Sequence, residues 1–124
     1  MTDKLIHEDL SYKIIGQAMQ VHRELGNGFL EKVYENALII ALLERRIDAK
    51  QQFPIKVQFH GKIVGEYFAD ILVENSVILE LKAHERISPA HRAQTLNYLK
   101  ATGYRLALLL NFGKRSLEYE RFVN

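Results

Sequence analysis

Residues 77–83 constrain the fold most, because they place two charged side chains inside an otherwise apolar run. Side chains alternate between the two faces of a strand, so Glu80 and Lys82 share one face while Leu79 and Leu81 share the other. A short apolar run of this kind predicts a buried central strand. Burying an acid and an ammonium there costs free energy unless the two are paired or bind a ligand. The chain therefore needs a sheet whose central strand has a use for these charges.

The length of 124 residues predicts one domain over residues 1–124, and an apolar content of 48% is typical of globular proteins. The absence of cysteine excludes disulfides and thiolate metal sites and fits a cytoplasmic protein. No apolar run is long enough to span a bilayer, and residues 1–8 lack the pattern of a secretory signal, so we expect no membrane partner. The net charge of +2 permits a nucleic-acid partner without requiring one.

Changes in hydrophobic period predict the order of the elements. Ser88 and Pro89 are typical of a helix start, and Gly103 is typical of a helix end. A helix between the third and fourth strands predicts a parallel crossover onto an antiparallel meander. We therefore expect an α/β fold with a mixed four- to five-stranded sheet flanked by helices. The predicted helices cover residues 8–25, 30–46 and 88–102, and the predicted strands cover residues 55–59, 63–73, 77–83, 105–112 and 117–123.

Asp70 lies near the end of the preceding apolar run, and a short turn should bring it beside Glu80 on the neighbouring strand. Two carboxylates and the backbone carbonyl of Leu81 form a donor set that suits Mg²⁺ or Mn²⁺, which prefer oxygen ligands. Lys82, on the same face, is expected to orient a water molecule or to stabilise charge on a phosphate. The alternative is a buried structural ion pair between Glu80 and Lys82, which leaves Asp70 unexplained.

The third helix carries a second polar group. His91, Gln94 and Tyr98 fall in one sector of the helix, so we expect Gln94 and Tyr98 to support the acids by holding a phosphate or a water molecule. Ala93, Leu96 and Leu99 occupy a different sector, which is predicted to face the sheet. The alternative is a polar helix edge on which Gln94 caps a loop and Tyr98 packs its ring.

The second helix opens with a glutamate, and Glu31, Tyr34, Glu35 and Leu38 share a face. A glutamate in a first helical turn complements the helix dipole. For Glu31, this interpretation and a role at the metal site have equal support from the sequence. His22, on the apolar stripe of the first helix, is expected to be a hydrogen-bonded histidine of the core, or one that supports a metal ligand, rather than a ligand itself.

Three motifs, taken in their order along the chain, resemble those of the PD-(D/E)XK nuclease superfamily and, within it, of the small GxxExxY family. They are the family motif, the acidic core with its Glu-x-Lys, and the Gln-x-x-x-Tyr pair of RecB-like exonucleases, over about residues 10–113. Ala69 stands before the acidic residue where the motif has proline. The matching residues are Gly28, Glu31, Tyr34, Asp70, Glu80, Lys82, Gln94 and Tyr98.

The resemblance implies a restriction-endonuclease-like αβββαβ core preceded by an extra N-terminal helix. It also implies Mg²⁺- or Mn²⁺-dependent hydrolysis of phosphodiester bonds, with DNA ahead of RNA as substrate and a homodimer or a protein partner as further options. The competing expectation is a catalytically silent module of the same fold that binds nucleic acid or protein. The expected metal ligands are Asp70, Glu80 and the Leu81 carbonyl, with Glu31 as a further candidate, and the expected catalytic residues are Lys82, Glu31, Gln94 and Tyr98.

Overall fold

The chain folds into an α/β arrangement with five strands and three helices in the computed structural model, which describes residues 6–124. The prediction that no secretory signal is present concerns residues 1–8 and so falls mostly outside the described residues. No helix within the described range is long and apolar enough to cross a membrane. The helices are α1 (Glu8–Leu25), α2 (Glu31–Glu44) and α3 (Pro89–Thr102), and the strands are β1 (Ala49–Phe59), β2 (Lys62–Val73), β3 (Val77–Lys82), β4 (Leu106–Asn111) and β5 (Glu118–Val123).

The five strands form one mixed sheet in the order β1-β2-β3-β4-β5. β1, β2 and β3 are an antiparallel meander, β4 lies parallel to β3 after the α3 crossover, and β5 pairs antiparallel with β4. The elements from α2 to β4 follow the predicted αβββαβ order, with α1 as the extra N-terminal helix. The predicted fold class is therefore confirmed.

Local chemistry explains where α3 begins and ends. The Ser88 hydroxyl accepts a hydrogen bond from the His91 amide at 3.1 Å, while Pro89 occupies the first turn. Gly103 ends the helix with φ at 80°, a left-handed conformation that glycine adopts without a steric cost. These are the signals that predict the helix from sequence.

The two faces of the sheet carry different cores. The two-helix face, covered by α1 and α2, buries apolar side chains from alternate positions of β3 and β4, including Leu79, Leu81 and Leu108. The one-helix face, covered by α3, buries a smaller group that includes Ile78 and Leu99. Because side chains alternate along β3, Glu80 and Lys82 lie on the one-helix face, as the sequence predicts.

The prediction for the sheet-facing side of α3 is partly wrong. Leu99 is buried as expected, but Ala93 is exposed and Leu96 is 38% exposed. Thr95 and Tyr98 are buried instead, which together with Leu99 makes the three- and four-residue spacing of a narrow contact stripe. The physical reason is that a single helix covers this face, so side chains on either side of that stripe are left in the open.

The β1–β2 hairpin extends beyond the rest of the sheet. β1 and β2 stay paired out to Phe59 and Lys62, whereas β2 pairs with β3 only over residues 71–73. The predicted strand 55–59 is therefore the outer part of a longer strand, in which Pro54 is tolerated because β1 is an edge strand. We call residues 53–69 the hairpin arm; Phe59 on this arm is 63% exposed because no third strand of residues 6–124 lies beside it.

Candidate active site

Two acidic side chains accept backbone hydrogen bonds at the point where the pairing of β2 with β3 ends. The ladder runs from Val73 and Val77 to the pair formed by Ile71 with Leu79. One residue further, the Asp70 amide donates to Glu80 Oε1 at 3.1 Å. The Leu81 amide donates to Asp70 Oδ2 at 2.7 Å. Each carboxylate thus accepts a backbone hydrogen bond from the opposite strand, and the structure brings the two acids together as antiparallel pairing predicts.

The environment of these acids opposes their ionisation. Burial, followed by the charge of Asp70, raises the pKa of Glu80 to about 8, although the charge of Lys82 opposes the shift. Burial also raises the pKa of Asp70, and the nearby carboxylates of Glu35 and Glu31 add to this effect. Glu80 is only 3% exposed, so water screens little of the repulsion. The pair is therefore a site at which added positive charge would be stabilising.

The start of α2 supplies the other acids of this region. Glu31 is the first residue of α2, and its Oε2 lies 3.3 Å from His84 Nε2. Glu35, one turn later, is buried and accepts hydrogen bonds from Gln51 and Lys32 at 2.8 and 3.1 Å. Both acids act electrostatically on Asp70. The carboxylate of Glu31 is engaged by His84, and its possible role as a ligand or base stays a prediction.

Lys82 provides a positive charge that acts on both members of the acid pair. Its charge lowers the pKa of both Asp70 and Glu80. Among the ion pairs shorter than 4.0 Å that the structure describes within residues 6–124, none includes Glu80 or Lys82. Within residues 6–124 the structure thus does not show the structural ion pair of the alternative, and the hydrogen bond that holds Glu80 comes from the backbone of β2.

Helix α3 brings the predicted glutamine and tyrosine to one place. Tyr98 is 6% exposed, and its ring centroid lies 5.8 Å from that of Tyr67 on the hairpin arm. Burial, then the charges of Glu80 and Asp70, raises the pKa of Tyr98 to about 12, so its phenol stays protonated near neutral pH. Gln94, one turn earlier, lines the same cleft as Tyr98. The ring of Tyr98 does pack, as the alternative for this helix predicts, but it packs beside the acids.

Several residues around the segment that follows β3 are not identified by the sequence. The buried side chain of Asn111 accepts a hydrogen bond from the His84 amide at 3.0 Å and donates to the His84 carbonyl at 2.8 Å. A Cβ on Gly113 would lie 2.4 Å from the same backbone. The ring centroids of His84 and His91 lie 4.8 Å apart. We call the contacts of Asn111 and Gly113 with the His84 backbone the clamp, and it fixes the chain just beyond Lys82. The only sequence signal for the clamp is Asn111, a polar residue at the end of an apolar strand.

His22 and Tyr34 serve the core instead of this region. His22 Nε2 lies 2.8 Å from the Lys114 carbonyl, and its side chain is buried, which confirms the prediction of a hydrogen-bonded core histidine. The Tyr34 hydroxyl donates to the Gly26 carbonyl at 2.6 Å, and its ring stacks on Phe112 at 4.6 Å. The tyrosine of the glycine–glutamate–tyrosine motif therefore ties down the turn before α2.

The donor set around Asp70 and Glu80 suits a divalent cation in its chemistry. Both are hard oxygen donors, they repel each other, and each has one carboxylate oxygen outside the two backbone bonds described above. No cluster of three or more His, Cys, Asp or Glu side chains suited to a metal ion occurs within residues 6–124. A cation here would therefore rely on two carboxylates together with backbone or water oxygens, which is a common arrangement for Mg²⁺. Leu81 turns its side chain into the core, and the role of its carbonyl stays a prediction.

Comparison with known proteins gives a family match and structural likenesses. The profile of a family described as the PD-(D/E)XK nuclease superfamily matches residues 8–122. The crystal structure of SSO0001 is similar at a TM-score of 0.59 and 16% identity, over 95% of this chain and 60% of that one. An alkaline exonuclease from Laribacter hongkongensis (LHK-Exo) is similar at a TM-score of 0.56 and 14% identity, over 100% of this chain and 72% of that one. No curated protein matches the chain.

These likenesses have different weights. At identities of 16% and 14%, the two solved structures show that the fold is shared and nothing more. The chain spans about 60% of the length of SSO0001. The profile match covers nearly the whole chain, including every residue of the candidate site.

Proposed function

Because this chain belongs to the PD-(D/E)XK nuclease superfamily, we propose that it is a divalent-metal-dependent nuclease whose active site is built on Asp70, Glu80 and Lys82. Within the superfamily, we assign it to the GxxExxY family on the motif formed by Gly28, Glu31 and Tyr34. The proposed substrate is DNA ahead of RNA, and the proposed ion is Mg²⁺ or Mn²⁺. We further propose that residues 1–124 act as one nuclease domain.

The observation that carries the proposal is the acid pair at the end of the β2–β3 ladder. Two carboxylates that burial and mutual repulsion push toward the protonated state are costly for the fold. A divalent cation that binds both would remove that cost, so the arrangement has a physical rationale as a cation site. The nearby Lys82 forms no ion pair within residues 6–124 and is available for a substrate phosphate.

The proposed roles follow from where each side chain lies. Asp70 and Glu80, with the Leu81 carbonyl, would hold the ion, and a bound ion supplies charge for the phosphate oxygens and a more acidic water molecule. Lys82 would position the nucleophile and stabilise negative charge on the phosphate. Glu31 would act as a further ligand or as a base, through a rearrangement of its contact with His84.

Gln94 and Tyr98 would support the substrate from the side of α3. Tyr98 keeps its proton over the whole neutral range because its pKa is raised to about 12, so its hydroxyl can donate a hydrogen bond to a phosphate oxygen beside the acids. Gln94 carries both a donor and an acceptor and lines the same cleft.

The test is cleavage of single-stranded, double-stranded and branched DNA and of RNA, with Mg²⁺, Mn²⁺ or EDTA. The wild-type protein should cut at least one substrate with an added metal and none in EDTA. Asp70→Ala and Lys82→Ala should abolish cutting, whereas the matched control Glu66→Gln, an exposed acid on the same strand, should leave it intact. Cutting that survives both site substitutions or persists in EDTA would overturn the site assignment. Binding without cutting under every metal would instead favour a silent module of the same fold.

A further inference from the structure

A cleft of about 670 Å³ lies between the hairpin arm and α3, and one of its lining residues is Tyr98, on which the charges of Glu80 and Asp70 act. Tyr67 of the arm forms one wall, and Tyr98 of α3 lies opposite, with ring centroids 5.8 Å apart and planes inclined at 46°. Tyr98 packs in the same buried cluster as Ala69 and Ile78, the neighbours of the acids along their strands. The Tyr98 side chain is therefore the structural link between the cleft and the proposed catalytic site.

The lining of the cleft combines aromatic, apolar and amide groups. Small or apolar residues of both walls, among them Val64, Gly65 and Ala93, leave room for a flat group. The side-chain amides of Gln94 and Asn97 carry donors and acceptors that can pair with the edge of a heterocycle. Lys100 lies at the rim and supplies a positive charge for a phosphate. A flat heterocycle attached to a phosphate backbone satisfies all three features.

The exposed side chain of Tyr67 offers an aromatic surface in the cleft. Tyr67 is 49% exposed, so about half of its surface is accessible to a ligand although its ring lies beside that of Tyr98. Stacking of a base on an aromatic side chain is sequence-tolerant, because every base has a π-face. A base inside a duplex has both faces covered by its neighbours and reaches such a ring only after leaving the stack.

We propose that this cleft binds the base of an unpaired nucleotide and thereby directs the nuclease toward single-stranded or frayed nucleic acid. The proposal rests on the function proposed above, since it takes the acid pair as the place where the phosphodiester lies. Tyr67 is the stacking residue, Gln94 and Asn97 contact the base edge, and Lys100 contacts a backbone phosphate.

Binding measured in EDTA tests the cleft without cleavage, because no metal is present for the reaction. The probe is a labelled single strand of about twelve thymidine nucleotides, compared with a strand of equal length that lacks bases but keeps every phosphate. The wild-type protein should bind the strand with bases at least tenfold more tightly than the abasic strand at low salt. A fully paired duplex of the same length should compete at least tenfold less well.

Substitutions at Tyr67 then locate the preference. Tyr67→Leu should reduce the preference for bases about tenfold, which corresponds to about 1.4 kcal/mol, while Tyr67→Phe should retain it because the ring is kept. Tyr12→Leu, which removes an 81% exposed tyrosine of α1 away from the cleft, is the matched control and should change nothing. Circular dichroism of each variant checks that the fold is intact.

The outcomes separate this proposal from the one on which it rests. Equal binding of the two strands, or equal effects of Tyr67→Leu and Tyr12→Leu, would overturn the base cleft even if the protein cuts DNA. A base preference that Tyr67→Leu abolishes would support the cleft, and if no metal then produced cleavage, the nuclease proposal alone would fail. Tighter binding of duplex than of single strand would also overturn the assignment to unpaired nucleotides.

Discussion

The two faces of this sheet differ in how completely they are covered. The two-helix face buries sixteen apolar side chains of the described residues in one cluster, whereas the one-helix face buries seven. The acid pair, Lys82 and the cleft all lie on or at the edge of the less covered face. The difference teaches that the free energy of folding comes mainly from one face, which allows the other to keep buried charges and an open cleft.

A substitution in the acid pair should have the largest effect on chemistry and little effect on folding. Asp70→Asn keeps an oxygen that can accept the bond from the Leu81 amide, and it removes the charge that repels Glu80. We expect cleavage to fall by about 10³-fold while the free energy of unfolding in EDTA stays equal or rises. Cleavage rates and urea denaturation measure the two quantities. A large loss of stability would show that the acids serve the fold.

The opposite pattern is expected from the two-helix face. Leu79→Ala truncates a side chain that is fully buried between β3 and the helices, so it should lower the free energy of unfolding by about 3 kcal/mol. Cleavage per folded molecule should be unchanged. The same truncation on α3, Leu96→Ala, removes a side chain that is 38% exposed and should cost less than about 1 kcal/mol. Equal costs at the two positions would contradict the comparison of the faces.

The pH dependence of stability should report the strain in the acid pair. The folded protein keeps the proton of Glu80 up to about pH 8, whereas the unfolded chain releases it near the ordinary pKa of 4.5. The unfolded state binds fewer protons between these values, so the free energy of unfolding should fall by about 3 kcal/mol as pH rises from 5 to 8 without metal.

Two comparisons isolate that effect to the acid pair. Glu80→Gln has no proton to lose at this position, so its thermal stability should show a much smaller decline over the same range. Mg²⁺ or Mn²⁺ should restore the stability of the wild-type protein near pH 8 and should not restore that of the variant. An identical pH profile for the wild type and Glu80→Gln would show that the acid pair carries no such strain.

The clamp beyond β3 should give the smallest of these effects. A methyl group on Gly113 would lie 2.4 Å from the His84 backbone, so Gly113→Ala must displace the segment that follows Lys82. We expect cleavage to fall about tenfold, because small displacements of a positioned group reduce the rate. Gly16→Ala is the matched control, since a Cβ there meets no atom within 4 Å. Equal cleavage by the two variants would show that the clamp does not position Lys82.

Local signals explain why so much of the fold follows from the sequence. Ser88, Pro89 and Gly103 predict both ends of α3, and the Glu74–Ser76 turn together with alternation along β2 and β3 predicts that Asp70 and Glu80 meet. These features depend on neighbours in the chain or on one strand pair. The predicted roles of the site residues rest on the resemblance and await the assays described above.

The features that sequence reasoning missed all depend on distant parts of the chain. The stripe of α3 that faces the sheet is set by how one helix docks across several strands, which is why the helical period alone does not predict the exposure of Ala93 and Leu96. The cleft exists because β1 and β2 extend beyond the end of β3. That difference in strand length appears only once the register of the strand pairs is known. The clamp joins Asn111 to His84 across the parallel crossover, a contact that has no local pattern.

Calorimetric titration of Mn²⁺ near neutral pH, in buffers of different ionisation enthalpy, tests the central claim that the acid pair is a cation site. The measurement gives both the affinity and the number of protons released on binding. Because the pKa of Glu80 is raised to about 8, the wild-type protein should bind the ion and release close to one proton per ion. Asp70→Asn should weaken binding, and Glu80→Gln should also abolish proton release, whereas Glu66→Gln should behave as wild type. Absence of binding, or binding that neither site substitution changes, would contradict the account.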